Sequence, residues 1–315
     1  MREETVANRL AYYGVPGPRE QTDWLRAAFR VANRNSLSDA VRFGIAARAS
    51  QPFREQWLPF LDEFAATHGL EAPSVDLMMK PLNQYLVLGL PLSERVRLLR
   101  AHYAALVKVA SRRLIACIWA GEALEVGTIS GKSERYGIWL CATPLHLTRK
   151  EGELTLVLQH SESGQVLAKL TFLLSSTASD RLGVMVGGVQ GPRSSTAKQA
   201  IISATRDLFG LRPRDAMLVA LSSIANRIGA DKIWGVSNSM HVHNARSRRH
   251  RERWHVDYDG FWAERGATRG WPFGWVMNVP AHPSRTGTTA SGKRRDILKE
   301  SVWCLGQSTL SGPMA

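Results

Sequence analysis

The sequence predicts an α+β protein, with a helical N-terminal region followed by a mixed sheet flanked by helices. Three observations carry this. Apolar residues recur at three-to-four spacing in the first 120 positions, apolar and polar residues alternate across a hairpin in mid-chain, and a strand–helix–strand run follows. The 315 residues, 44% hydrophobic and 22% charged, suffice for one large domain or two smaller ones. Composition divides them into a helical region at 1–120, an α/β domain at 121–300 and a tail at 301–315.

Short helices are expected at 22–34, 36–48 and 53–66, and a longer one over 92–119. In that longer stretch Leu92, Val96, Leu99, Tyr103, Leu106 and Val107 form one apolar stripe, with Arg and Lys outside it. Glycines and β-formers take over at 124–142. In 153–160 Leu154, Leu156 and Leu158 alternate with other residues, and Ser161-Glu162-Ser163-Gly164 joins this strand to 165–174. The strand at 183–189 (GVMVGGV) carries adjacent glycines, which are expected where another backbone or a ligand comes close.

Helices follow at 196–208 and 214–228. The second has Pro213 at its first turn, Met217, Leu221, Ile224 and Ile228 as its stripe, and Gly229 at its end. A short strand, 232–236, precedes Ser237-Asn238. Tyr258, Phe261 and Trp262 form an aromatic face, and the last forty residues read as loop-rich.

Lys and Arg number 41 against 27 acidic residues, a formal charge of +14. Such a surface suits polyanions or phosphate-bearing carriers, and it equally suits simple solubility. Cys117, Cys141 and Cys304 are far apart with no CxxC or zinc spacing, and no metal site is expected. MREETVANRLAYYG has no apolar segment of a secretory signal, and no apolar run reaches membrane-spanning length, so a cytoplasmic protein is expected. GxxxxGK[ST], HExxH and GxSxG are absent, which disfavours P-loop NTPase, zincin and α/β-hydrolase chemistry.

Four constellations remain. Arg212 and Arg214 flank the proline that opens the 214–228 helix, where an anion is favoured. Gln190-Gly191-Pro192-Arg193 ends a strand, where α/β sites form. Asn238 and His241, with His243, follow the short strand, and histidine transfers protons near neutral pH. Arg246, Arg248, Arg249 and Arg251 are too close together for one helix face. They form either a polyanion strip or a solvated basic run, and Asp257 and Tyr258 come directly after.

From about residue 90 to 300 the chain resembles the bacterial VirK/YbjX family. The resemblance rests on LSERVRLLRAHY, the strand into Gln190-Gly191, GLRPRDAMLVAL, GVSNSMHV and DYDGFWAERG. It implies a link to virulence and envelope stress, and as one reading a non-enzymatic protein that binds RNA or anionic lipid. The order of hairpin, strand, helix, strand ending near an Asn, then Phe261-Trp262-Ala263-Glu264-Arg265-Gly266 is also similar to that of GNAT acyltransferases. Two departures stand out. Trp262 occupies a position where that family often has a tyrosine acid, and Gly210-Leu211-Arg212-Pro213-Arg214 is not a run of glycines.

The GNAT-like resemblance implies an acyl- or aminoacyl-transferase that moves its group from a phosphate-bearing carrier to a small-molecule or peptide amine. No tightly bound cofactor is expected, and acyl-CoA or aminoacyl-tRNA would be the co-substrate. Gln190, Arg193, Arg212, Arg214 and the 246–251 arginines would hold the carrier, tRNA or another polyanion included. Asn238, His241, Asp257 and Tyr258 would position the acceptor and move its proton.

Overall fold

The computed structural model describes residues 37–143, 149–176, 181–192, 197–245 and 256–309. The expected helix at 22–34 lies outside them. The helical region begins with α1 (Leu37–Ala49), a π-helical turn (Pro52–Trp57) and α2 (Leu58–His68). Gly69 closes α2 in the left-handed region, φ 62°, where a side chain is disfavoured. The short α3 (Val75–Met79) starts at Ser74, whose hydroxyl accepts from the Leu77 N–H.

The stretch expected as one helix over 92–119 is two. α4 (Leu92–Val109) stops at Ala110, and α5 (Arg112–Ala120) starts anew at Ser111, whose hydroxyl accepts from the Leu114 N–H. An N-cap serine inside an apolar pattern redirects the chain without interrupting the periodicity.

One eight-stranded sheet follows. It comprises β1 (Ala123–Ser130), β2 (Arg135–Ala142), β3 (Leu154–His160), β4 (Val166–Ser176), β5 (Leu182–Gln190), β6 (Lys232–Val236), β7 (Thr268–Trp271) and β8 (Gly274–Asn278). The spatial order is β1-β2-β3-β4-β5-β6-β8-β7. Every neighbouring pair is antiparallel except β5 and β6. A parallel pair needs a crossover, and α6 (Ala197–Asp207) and α7 (Pro213–Arg227) supply it. After β6 come a 3-10 turn (Val242–Ala245) and the one-and-a-half-turn α8 (Tyr258–Ala263).

β4 is buried almost without interruption from Leu167 to Ser175, as a strand is when both sheet faces are covered. α4 and α7 both pack on it. His102 of α4 is fully buried, and its Nδ1 accepts from the Leu174 N–H of β4 at 3.0 Å. Burial, with the nearby Lys80 charge, pushes this imidazole down to about 3, so the ring is neutral.

The C-terminal stretch differs from the expected loop and tail. The β7–β8 hairpin occupies 268–278, and α9 (Ala290–Thr309) runs 20 residues, through most of the 301–315 segment. α9 packs along α7, where the Gln307 amide donates to the Ser223 carbonyl at 2.9 Å. The fold is thus an α+β arrangement of N-terminal helices and a helix-flanked mixed sheet. Among the described residues no helix is long and apolar enough to cross a membrane.

Candidate active site where β5 and β6 part

β5 and β6 run side by side only from Gly183↔Lys232 to Val186↔Gly235. Beyond that point β5 continues to Gln190 against β4 alone, and β6 turns off through Ser237. Glu151, from the segment before β3, sits where the strands part. A Cβ on Gly187 would stand 2.7 Å from the Glu151 carbonyl carbon, and one on Gly188 would stand 2.5 Å from its Cδ. The adjacent glycines in β5 therefore do meet another backbone, as the sequence led us to expect, and it is that of Glu151.

The Glu151 side chain is 0% exposed. Its Oε1 accepts from the Gln190 amide at 2.5 Å, and the Nε2 atoms of His243 and His241 stand 3.0 and 3.4 Å from the same oxygen. Burial pushes this carboxyl up. Hydrogen bonds from the two histidines outweigh that and hold it below its ordinary value, so Glu151 is ionised. One strand end thus supplies Gln190, the chain leaving the other supplies both histidines, and the carboxylate ties them together.

The two histidines sit differently on the carboxylate. Nδ1 of His241 accepts from the His243 backbone N–H at 3.3 Å, so its Nε2 carries the proton toward Glu151 and both ring nitrogens are committed. His243 meets Glu151 through Nε2. The Tyr258 ring stacks on His241, centroids 4.4 Å apart and planes 16° from parallel. Beside Tyr258 lies Arg214, whose Nη2 would be 3.7 Å from a Cβ on Gly191. Burial lowers the Arg214 pKa from its ordinary value, while the nearby Tyr258 opposes that shift. The adjacent acids are engaged elsewhere, Asp215 by Arg265 and Glu264 by Arg212 and Arg265. Among the described residues no carboxylate pairs with Arg214.

Asn238 and Asp257 form a clasp at the edge of this cluster. Asp257 caps α8 by accepting from the Gly260 N–H at 2.9 Å, and it accepts from the Asn238 amide at 2.9 Å. Asn238 Oδ1 accepts from the Tyr258 N–H at 2.7 Å, which fixes where the tyrosine ring starts. The Gly260 and Asn238 hydrogen bonds hold the Asp257 carboxyl below its ordinary value. Asp259 accepts from the Trp275 indole at 2.7 Å and pairs with Arg269 at 3.2 Å.

The structure therefore brings together Gln190, Arg214, His241 and Tyr258, with Asn238 and Asp257 at their edge. Arg212 stands outside the cluster, exposed and 3.3 Å from Glu264. Arg193, Arg246, Arg248, Arg249 and Arg251 lie outside the described residues. Trp262, part of the aromatic face, is 1% exposed in the core under Gly235. Among the described residues no group of three or more His, Cys, Asp or Glu is arranged to hold a metal ion; the two histidines are turned on the carboxylate itself.

Sequence reasoning missed Glu151 and gave His243 no role of its own. The available signal was indirect: Gly187-Gly188 announced a close neighbour without naming it.

Fold and site together define a mixed α+β protein whose one parallel strand pair opens around a buried Glu–His–His–Gln cluster. Residues 32–298 match the family model described as protein of unknown function (DUF535), and the chain belongs to that family. A curated relative, the uncharacterized protein YbjX of Escherichia coli (strain K12), is 28% identical over 213 residues. The match covers 67% of this chain and 63% of the relative, so just under two thirds of YbjX is spanned. The VirK/YbjX resemblance read from the short motifs is thereby sustained.

Proposed function

We propose that this protein is an acyl- or aminoacyl-transferase that acts at the parting of β5 and β6, with acyl-CoA or aminoacyl-tRNA in the cytoplasm as the donor. The observation that carries the reading is the ionised, buried Glu151 with Nε2 of His243 3.0 Å away, bonded to Gln190 next to the Gly191 turn that the half-buried Arg214 approaches. Burying a carboxylate among histidines is costly, and groups with shifted pKa values concentrate where chemistry needs them.

In this reading Arg214 holds a phosphate of the carrier, which a guanidinium fork suits. The acceptor amine attacks the acyl carbonyl carbon. A C–N bond forms, the C–S or C–O bond to the carrier breaks, and the amine proton passes by way of the His243–Glu151 pair to the departing carrier, which leaves as thiol or hydroxyl. Glu151 holds the His243 ring in one tautomer and stabilises the imidazolium that forms. His241 and Tyr258, stacked together, shape the wall. The order of hairpin, strand, crossover, parallel strand and α8 supports the GNAT-like form of this reading.

The test has two stages. Mass spectrometry of thioesters and RNA that co-purify with the protein names the donor class. Discharge of that labelled donor onto simple amines such as putrescine or glycinamide is then followed with and without protein. We expect discharge that depends on the protein, slowed by about 10²-fold in His243→Asn. No discharge above background from either donor class would overturn the reading. RNA retained without any discharge would favour the binding-protein alternative, which the +14 charge supports.

A further inference from the structure

A second buried carboxylate stands two residues from the first and serves a different space. Glu153 is 3% exposed. It accepts from the hydroxyls of Tyr85 at 2.8 Å and Tyr103 at 3.1 Å, and the Lys80 ammonium stands 2.6 Å from its Oε1. Lys80 gives a second proton to the Gly152 carbonyl at 3.1 Å. The remaining proton has no acceptor among the described residues.

Lys80, Glu153 and Tyr103 form the inner wall of a cavity of about 120 Å³ between the N-terminal helices and the end of β2. Leu77, Ile118 and Trp119 line it with apolar surface, and Thr143 and Arg149 close the polar side. The Thr143 hydroxyl belongs to a buried chain, 2.9 Å from that of Thr155, which is 3.2 Å from that of Thr171.

The balance of donors and acceptors in this space is uneven. Both oxygens of Glu153 already accept hydrogen bonds. Asp76 stands at the rim with its side chain 65% exposed, 4.0 Å from Arg149. Around the space stand the Lys80 ammonium, the half-exposed Arg149 guanidinium, Arg42, the Asn83 amide and the Thr143 hydroxyl, beside an indole and aliphatic side chains. Replacing a buried Lys–Glu pair with apolar residues of the same volume is often neutral or stabilising, so packing alone gives no reason for it. The space is close to the roughly 150 Å³ that admits one aromatic ring in an apolar protein cavity.

We propose that this cavity binds a small carboxylic acid with an apolar or aromatic body. The carboxylate lies toward Lys80 and Arg149 and the body lies against Trp119 and Ile118. The site stands apart from the Glu151 cluster, and its test does not depend on any transfer reaction.

The test is calorimetric titration of the whole protein with phenylacetate and with its neutral counterpart, phenylacetamide. Three proteins are compared: wild type, Arg149→Gln, and the double variant Lys80→Met/Glu153→Leu. The first variant changes only an exposed side chain. The second removes the buried pair as a unit, so no orphaned charge is left to unfold the protein. We expect the acid to bind wild type at least about tenfold more tightly than the amide, and each variant to lose most of that preference. Failure of phenylacetate to bind wild type at millimolar concentration would overturn the proposal. So would equal binding of acid and amide, or undiminished preference in both variants.

Discussion

Gly188 and Glu151 occupy one another's space: the side chain that residue 188 lacks would stand 2.5 Å from the Glu151 carboxyl carbon. The glycine is what lets a carboxylate lie flat against β5 and reach Gln190 and both histidines. Gly188→Ala should push Glu151 off the strand, since backbone and cluster leave the new methyl no alternative. We expect a loss of about 1–3 kcal/mol in chemical denaturation, and histidine side-chain NMR signals that shift together as their common partner moves. Unchanged stability and unshifted histidine signals would refute this placement of Glu151.

The same carboxylate should make part of the stability depend on pH. Its pKa in the folded protein lies below the ordinary value because the histidine hydrogen bonds overcome its burial. An acid whose folded pKa is depressed contributes stability that is present above its unfolded pKa and lost as pH falls through the folded one. Glu151→Gln keeps the shape and removes the ion. Urea midpoints measured from neutral pH down to about pH 3 should therefore fall less steeply in the variant than in wild type. Parallel curves would mean that Glu151 has the same pKa folded and unfolded.

How much of this was legible in the sequence depends on how local each signal was. Met217, Leu221 and Ile224 read as a buried helical stripe and are buried, because a helix writes its face into consecutive turns. The mid-chain hairpin was equally plain in the alternation at Leu154, Leu156 and Leu158. α9 was not, since its sequence (ASGKRRDILKESVWCLGQST) is mostly polar and its helicity comes from packing on α7. The site was half legible. Gln190, Arg214, His241 and Tyr258 sit beside turns and helix starts that the sequence marks. Glu151 lies in Lys150-Glu151-Gly152-Glu153, which resembles any charged turn, and its hydrogen-bond partner Gln190 is 39 positions away. No periodicity reaches that far; only folding brings the two together.

Gly235 should prove as intolerant of a side chain as Gly188, for a different partner. The space where its Cβ would go is filled by the Trp262 indole ring, itself 1% exposed. Gly235→Ala should force this ring from its slot between β6 and α8 and destabilise the protein by about 1–3 kcal/mol. Its effect should be visible as a lower melting temperature and a red shift in tryptophan emission. Trp262→Phe, which is smaller, should largely restore stability to the Gly235→Ala variant. Additive losses in the double variant would show that the two positions do not compete for the same volume.

Asp257 allows the structural and chemical roles of one carboxylate to be separated. It caps α8 through the Gly260 N–H and accepts from Asn238. Asparagine is as good an N-cap as aspartate, so Asp257→Asn should leave the melting temperature nearly unchanged. Asp257→Ala should cost about 1 kcal/mol and loosen the start of α8, and with it the Tyr258 ring stacked on His241. If Asp257 handles a proton in the proposed transfer, Asp257→Asn should lose activity without losing stability. If it only holds the helix, Asp257→Asn should retain activity, and Asp257→Ala should lose stability and activity together. Parallel measurements of melting temperature and donor discharge on the two variants distinguish these outcomes, because only a proton-transfer role separates activity from the cap.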